Sequence, residues 1–139
     1  MAPFGKPMVW GVPMFPAGWG VSLARGAKGS YNRQFATLAA NLVAAGMGNS
    51  TPRLGLEFNM PSFPWYTAGK ASNSTAYWLQ IVNTMRSVPG AAFTFEWNPC
   101  RGGQGAVDQT MGNYANYSPG DAYVDAVAPD VYDLSLIHI

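Results

Sequence analysis

Two stretches of this chain alternate strictly between apolar and polar side chains, and they limit what it can fold into more than any other feature. In residues 53–59, Leu54, Leu56 and Phe58 fall on one side, against Arg53, Gly55, Glu57 and Asn59. In residues 93–98, Phe93, Phe95 and Trp97 oppose Thr94, Glu96 and Asn98. A period of two sends successive side chains to opposite faces of a strand, so each stretch predicts a strand with one apolar and one polar face. Two helical stripes accompany them. Phe35, Leu38, Ala39, Leu42 and Val43 form the first, with Ser30 as N-cap and Gly46 as a left-handed stop. Tyr77/Trp78, Ile81/Val82, Met85 and Val88 form the second, over residues 74–88, ended by Pro89-Gly90.

The remaining segments complete the order. Residues 9–14 read as a short buried strand, and residues 15–29, rich in Pro and Gly, read as a loop. Residues 99–120 read as a long polar loop containing Cys100, and residues 122–132 as a last strand with Asp130 and Tyr132 in phase at its end. Strands alternating with helices predict an α/β fold with a parallel sheet and right-handed crossovers. An open doubly wound sheet would be apolar on both faces. Polar groups at the C-terminal ends of parallel strands fit the mouth of a (β/α)₈ TIM barrel. Such a barrel typically takes about 250 residues, so the expectation is a partial barrel filling residues 1–133 as one domain.

Composition removes several classes of function. The 139 residues carry 8 Lys+Arg against 7 Asp+Glu, scattered rather than clustered, which argues against a nucleic-acid partner. No apolar run reaches the roughly 18–20 residues of a membrane span. No apolar core of a signal peptide is visible near Met1. With 48% hydrophobic residues and a net charge of +1 the chain is expected to collapse rather than stay disordered. A single cysteine, Cys100, allows no internal disulfide. The single histidine, His138, argues against a His-rich zinc site or a His-dependent triad, so no metal is expected. No phosphate-binding glycine loop is present, and no cofactor is expected. Acid–base chemistry then rests on carboxylates, tyrosines or lysines, and the only glutamates are Glu57 and Glu96.

Arg53-Leu54-Gly55-Leu56-Glu57-Phe58-Asn59, followed by Phe63-Pro64-Trp65, resembles the acid/base strand of glycoside hydrolase family 26, whose (β/α)₈ barrels include β-mannanases and related endo-β-glycanases. Trp97-Asn98-Pro99 agrees with it. So do Ser118-Pro119-Gly120-Asp121-Ala122-Tyr123-Val124-Asp125 and Asp130-Val131-Tyr132, the most specific part. The resemblance spans residues 9–133 and corresponds to barrel strands three to six. It implies a retaining endo-β-glycan hydrolase acting on a β-linked polysaccharide or oligosaccharide, and an extracellular location. Leu56 stands where the family usually has His and Met60 where it usually has Gly, which points to a divergent branch.

Carried over by position, Glu57 looks like the general acid/base, and Asn59 and Trp65 look like subsite-lining residues. Asp130 and Tyr132 look like the end of strand six, where the family's Tyr orients the nucleophile. Glu96, on the polar face of its strand, is expected to bind substrate. The nucleophile would be a glutamate on strand seven, beyond residue 133, so these residues alone are expected to be inactive. Each assignment has a plainer counterpart: an ion pair with Arg53 for Glu57, core packing for Trp65, a solvated strand end for Asp130 and Tyr132. A non-catalytic carbohydrate-binding barrel is the alternative reading of the whole. Residues 134–139, Leu-Ser-Leu-Ile-His-Ile, fit no element of the fold and read as the translation of a transposon-end sequencing adapter.

Overall fold

The computed structural model describes residues 8–101 and 114–131. Strand β1 (Val9–Val12) leads through a short helix α1 (Leu23–Ala27) to helix α2 (Asn32–Ala44). Strand β2 (Thr51–Leu54), helix α3 (Ala71–Arg86) and the strand segments β3 (Glu96–Trp97) and β4 (Cys100–Arg101) follow. A 3₁₀ turn (Ala115–Tyr117) precedes β5 (Ala126–Val127) and β6 (Asp130–Val131). The main sheet runs β1-β2-β3-β5 with every pair parallel, its strands in chain order, and β4 pairs with β6 beside it, also parallel. No helix among the described residues is long and apolar enough to cross a membrane.

The α/β class and parallel sheet follow the expectation from sequence, and both stripes become helices. On α3, Tyr77, Trp78, Ile81, Val82 and Met85 are all buried. They pack over Leu54, Phe93, Phe95 and Trp97 in one core. Helix α2 ends where Gly46 was expected to end it. Gly46 adopts φ 75, its N–H bonds to the Val43 carbonyl at 2.9 Å, and the Met47 N–H reaches back to Leu42 at 2.8 Å. These two bonds satisfy carbonyls that a helix end leaves over, and the left-handed turn costs glycine little.

Several boundaries differ. Ser30 does not cap α2; the capping position belongs to Tyr31, whose ring is buried and whose hydroxyl accepts the Ser22 N–H at 3.0 Å. The segment read as loop contains α1, capped by the Ser22 side chain accepting from the Arg25 N–H at 3.2 Å. Helix α1 lies so close to α3 that a Cβ on Gly26 would come within 2.5 Å of the Tyr77 ring. Residues 53–59 are not one strand: β2 stops at Leu54 and the chain turns. Cys100 lies in a strand rather than in a loop.

The last strand is likewise divided, and Pro99 explains the missing rung. β3–β5 and β4–β6 share one register, with Glu96 opposite Ala126 and Cys100 opposite Asp130. That register sets Pro99 opposite Pro129. The Ala128 and Asp130 N–H groups donate to the Trp97 and Pro99 carbonyls, so of the two prolines it is Pro99 that lacks an N–H the ladder calls for, and the ladder is interrupted there.

The two faces of the sheet differ in character. Toward the helices it is apolar. The opposite face carries the Thr51 and Thr94 hydroxyls, 2.7 Å apart, and the Arg53–Glu96 ion pair in adjacent register positions.

Candidate active site

The parallel strands β2, β3 and β5 end on one side of the sheet, and Glu57 and Asn59 lie in the turn just beyond β2. Beyond Leu54, Gly55 (φ 59) and Glu57 (φ 46) both take left-handed backbone, and the Glu57 carbonyl accepts the Met60 N–H at 2.8 Å. Glu57 is the one non-glycine residue with positive φ among those described. A side chain in that region costs of order 1–3 kcal/mol and persists only where the surroundings fix it.

The surroundings do fix it. The Trp65 indole N–H donates to the Leu56 carbonyl at 2.8 Å. The Glu57 N–H donates to Asn98 Oδ1 at 2.9 Å. The Phe58 carbonyl accepts from both the N–H (3.0 Å) and the hydroxyl (3.2 Å) of Thr67. The Phe58 ring stacks on Trp97 with centroids 4.7 Å apart. Asn59 closes the turn, its amide bonded to the backbone of Cys100 through both ends. Glu57 itself is half-buried.

A second group lies on the polar face of the sheet. The Arg53 Nε donates to Glu96 Oε1, and its Nη1 lies 3.5 Å from Asp130 Oδ1. One guanidinium from β2 thus joins carboxylates from β3 and β6. Glu96 is the most enclosed of the three, with 11% of its side chain exposed against 27% for Arg53 and 31% for Asp130. The carboxylate oxygens not turned to the guanidinium remain able to accept hydrogen bonds.

Of the residues singled out from sequence, the structure therefore unites Glu96 and Asp130 through Arg53, and ties the backbone of Glu57 to the end of β3. Asn59 is fully buried, its amide engaged in a backbone clasp. Trp65 is 6% exposed, with Phe63 stacked on it at 5.0 Å and Phe15 against its edge, so its faces are occupied by protein. Tyr132 and His138 lie outside the described residues. Tyr114 and Tyr117 belong to the core, and the Tyr114 hydroxyl donates to the Cys100 carbonyl at 2.9 Å. Asp125 ties β3 to β5: its carboxylate accepts the Phe95 N–H at 2.7 Å and the Arg86 guanidinium at 3.0 Å. Among the described residues no group of three or more His, Cys, Asp or Glu could hold a metal ion.

Among the residues that hold the turn after β2, Asn98 is the one that alternation alone undervalued. The sequence showed it as a polar residue of a strand and as part of the Trp97-Asn98-Pro99 segment, without a role, yet it joins the turn after β2 to Ala128 beyond β5. The signal was the proline after it.

No protein-family model matches the chain, and the search of curated proteins finds no match.

Proposed function

We propose that this chain is part of a retaining endo-β-glycan hydrolase of the (β/α)₈ type, similar to glycoside hydrolase family 26, with Glu57 as general acid/base. The observation that carries the reading is the left-handed Glu57 at the C-terminal end of a parallel strand, in a turn held by Trp65, Asn98, Thr67 and Cys100. Backbone strain sustained by so many contacts is characteristic of functional positions. Chemistry in parallel α/β barrels takes place at that end of the strands. The strand order supports the reading as well, because each parallel strand in a barrel neighbours its predecessor.

In this reading Glu57 gives its proton to the glycosidic oxygen as the C–O bond breaks, and then takes a proton from the water that attacks the glycosyl-enzyme. Glu96 and Asp130, held by Arg53, accept hydrogen bonds from sugar hydroxyls. Tyr132 carries, by the same resemblance, the role of orienting the nucleophile, a carboxylate on a later strand. The substrate class is a β-linked polysaccharide such as a mannan, and the enzyme works outside the cell.

The test is hydrolysis of soluble β-glycans by the intact reading frame that contains these residues, with and without Glu57→Gln. Loss of at least about 10²-fold in kcat with retained glycan affinity is the expected result. Glycan binding without turnover in either form would instead make the protein a carbohydrate-binding barrel. Neither binding nor turnover would remove the reading.

A further inference from the structure

We infer that Asn98 is the positioning residue for Glu57: it fixes the backbone at Glu57 and so the direction in which the carboxyl leaves the strand end. The inference rests on the acid/base reading of Glu57.

The argument starts from Pro99. In the parallel pair at this level, the Ala128 N–H donates to the Trp97 carbonyl at 3.0 Å and the Asp130 N–H to the Pro99 carbonyl at 2.9 Å. The slanted parallel pattern then calls for the N–H of residue 99 to serve the Ala128 carbonyl. Proline has no N–H, so that acceptor loses its ladder partner. The Asn98 side chain supplies the missing donor, its Nδ2 lying 2.7 Å from the Ala128 oxygen.

This bond also decides how the amide faces. With Nδ2 directed at a carbonyl, Oδ1 is directed at the β2 turn, where it accepts the Glu57 N–H at 2.9 Å. Both partners require the same orientation of the amide. Asn98 is fully buried, so water does not compete at either end. Asn98-Pro99, between β3 and β4, thus carries a repair of the sheet across to the one strained carboxylate residue of the site.

Two roles for Asn98 can be separated, because one of them can be supplied by backbone. Asn98→Ala removes both bonds. Asn98→Ala/Pro99→Ala gives residue 99 an N–H for the Ala128 carbonyl, while the link to Glu57 stays broken. If Asn98 only repairs the sheet, the second variant regains full function. If it positions Glu57, the second variant regains stability alone.

The experiment is carried out on the intact reading frame, using Tm, hydrogen exchange at the residue 57 amide, and kcat and KM on a soluble β-glycan, with Glu57→Gln as reference. The expected result for Asn98→Ala/Pro99→Ala is a Tm close to wild type and exchange at residue 57 at least tenfold faster. KM should stay within about twofold and kcat should fall at least tenfold, within the range that acid/base catalysis contributes. Wild-type kcat in that variant, or unchanged exchange at residue 57, overturns the inference while leaving the acid/base reading intact if Glu57→Gln is inactive. Turnover absent from the wild type, or unaffected by Glu57→Gln, overturns both.

Discussion

Asn59 and Cys100 form a closed pair: Asn59 Nδ2 donates to the Cys100 carbonyl at 2.9 Å, and Asn59 Oδ1 accepts the Cys100 N–H at 2.8 Å. A side-chain amide here does the work of one rung of a ladder, joining the turn after β2 to β4. The Cys100 carbonyl has a second donor in the Tyr114 hydroxyl, so the N–H depends most on Asn59. Asn59→Ala is expected to cost about 1–3 kcal/mol, the usual penalty for orphaning a buried polar group. Asn59→Asp keeps the acceptor but turns a buried carboxylate oxygen toward the Cys100 carbonyl, and is expected to cost at least as much at neutral pH. Urea midpoints of the two variants decide this, and an unchanged midpoint for Asn59→Ala would refute the clasp.

Much of the fold was legible because helices α2 and α3 advertise themselves. Phe35 and Ala39, and Tyr77 through Met85, repeat at helical spacing, and burial follows that spacing. Helix α1 was hidden because it is short and sits among glycines and prolines, and its Ser22 cap has no apolar run behind it. The strands were over-extended for a related reason. Alternation continues through Leu56 and Phe58 while the backbone has already turned at Gly55, and alternation says nothing about φ. The candidate site was legible as residue types, not as contacts. Glu96 and Asp130 share one arginine across distant segments, while Asn59 and Trp65 are drawn into packing and backbone bonds that only the folded chain reveals.

Gly26 is where α1 meets the Tyr77 ring. Gly26→Ala would place a methyl 2.5 Å from ring carbons in a packed interior. Overpacking of this kind typically costs about 1–3 kcal/mol. Thermal or urea unfolding measures it, and partial recovery in Gly26→Ala/Tyr77→Leu would locate the clash at that contact.

Tyr77 gives the fold an alkaline limit. Its hydroxyl donates to the Met14 carbonyl, and burial, reinforced by the neighbouring Tyr31, pushes its phenol up from the ordinary tyrosine value. The unfolded chain ionises a tyrosine near pH 10, whereas the folded chain holds this proton. The stabilisation is therefore complete below about pH 10 and is lost as pH rises above it, by up to about 1.4 kcal/mol per pH unit. Tyr77→Phe should be less stable at pH 8, by about 1 kcal/mol for the lost hydrogen bond, and the gap should close as pH passes 10. Parallel stability curves for the two proteins would contradict the assignment.

Arg53 holds two carboxylates, so the cost of removing one charge depends on which of the others remain. Arg53→Met leaves Glu96 and Asp130 without their shared cation. The expected cost is about 1–3 kcal/mol, below that of a fully buried pair because Arg53 and Asp130 still meet solvent. Arg53→Met/Glu96→Gln should recover at least about 1 kcal/mol of that loss, which a double-mutant cycle reads directly. Strict additivity of the two single substitutions would show that the pair is not coupled.

The central claim is that the carboxyl of Glu57 passes a proton to and from the reacting glycoside, and chemical rescue addresses it most directly. In the intact reading frame carrying Glu57→Ala, an aryl β-glycoside whose leaving group needs no protonation should still form the glycosyl-enzyme, and azide, which needs no general base, should then restore turnover and yield a glycosyl azide. Azide-dependent turnover confined to the Glu57→Ala protein is the predicted result. Equal loss of activity on substrates with good and poor leaving groups, with no response to azide, would contradict it.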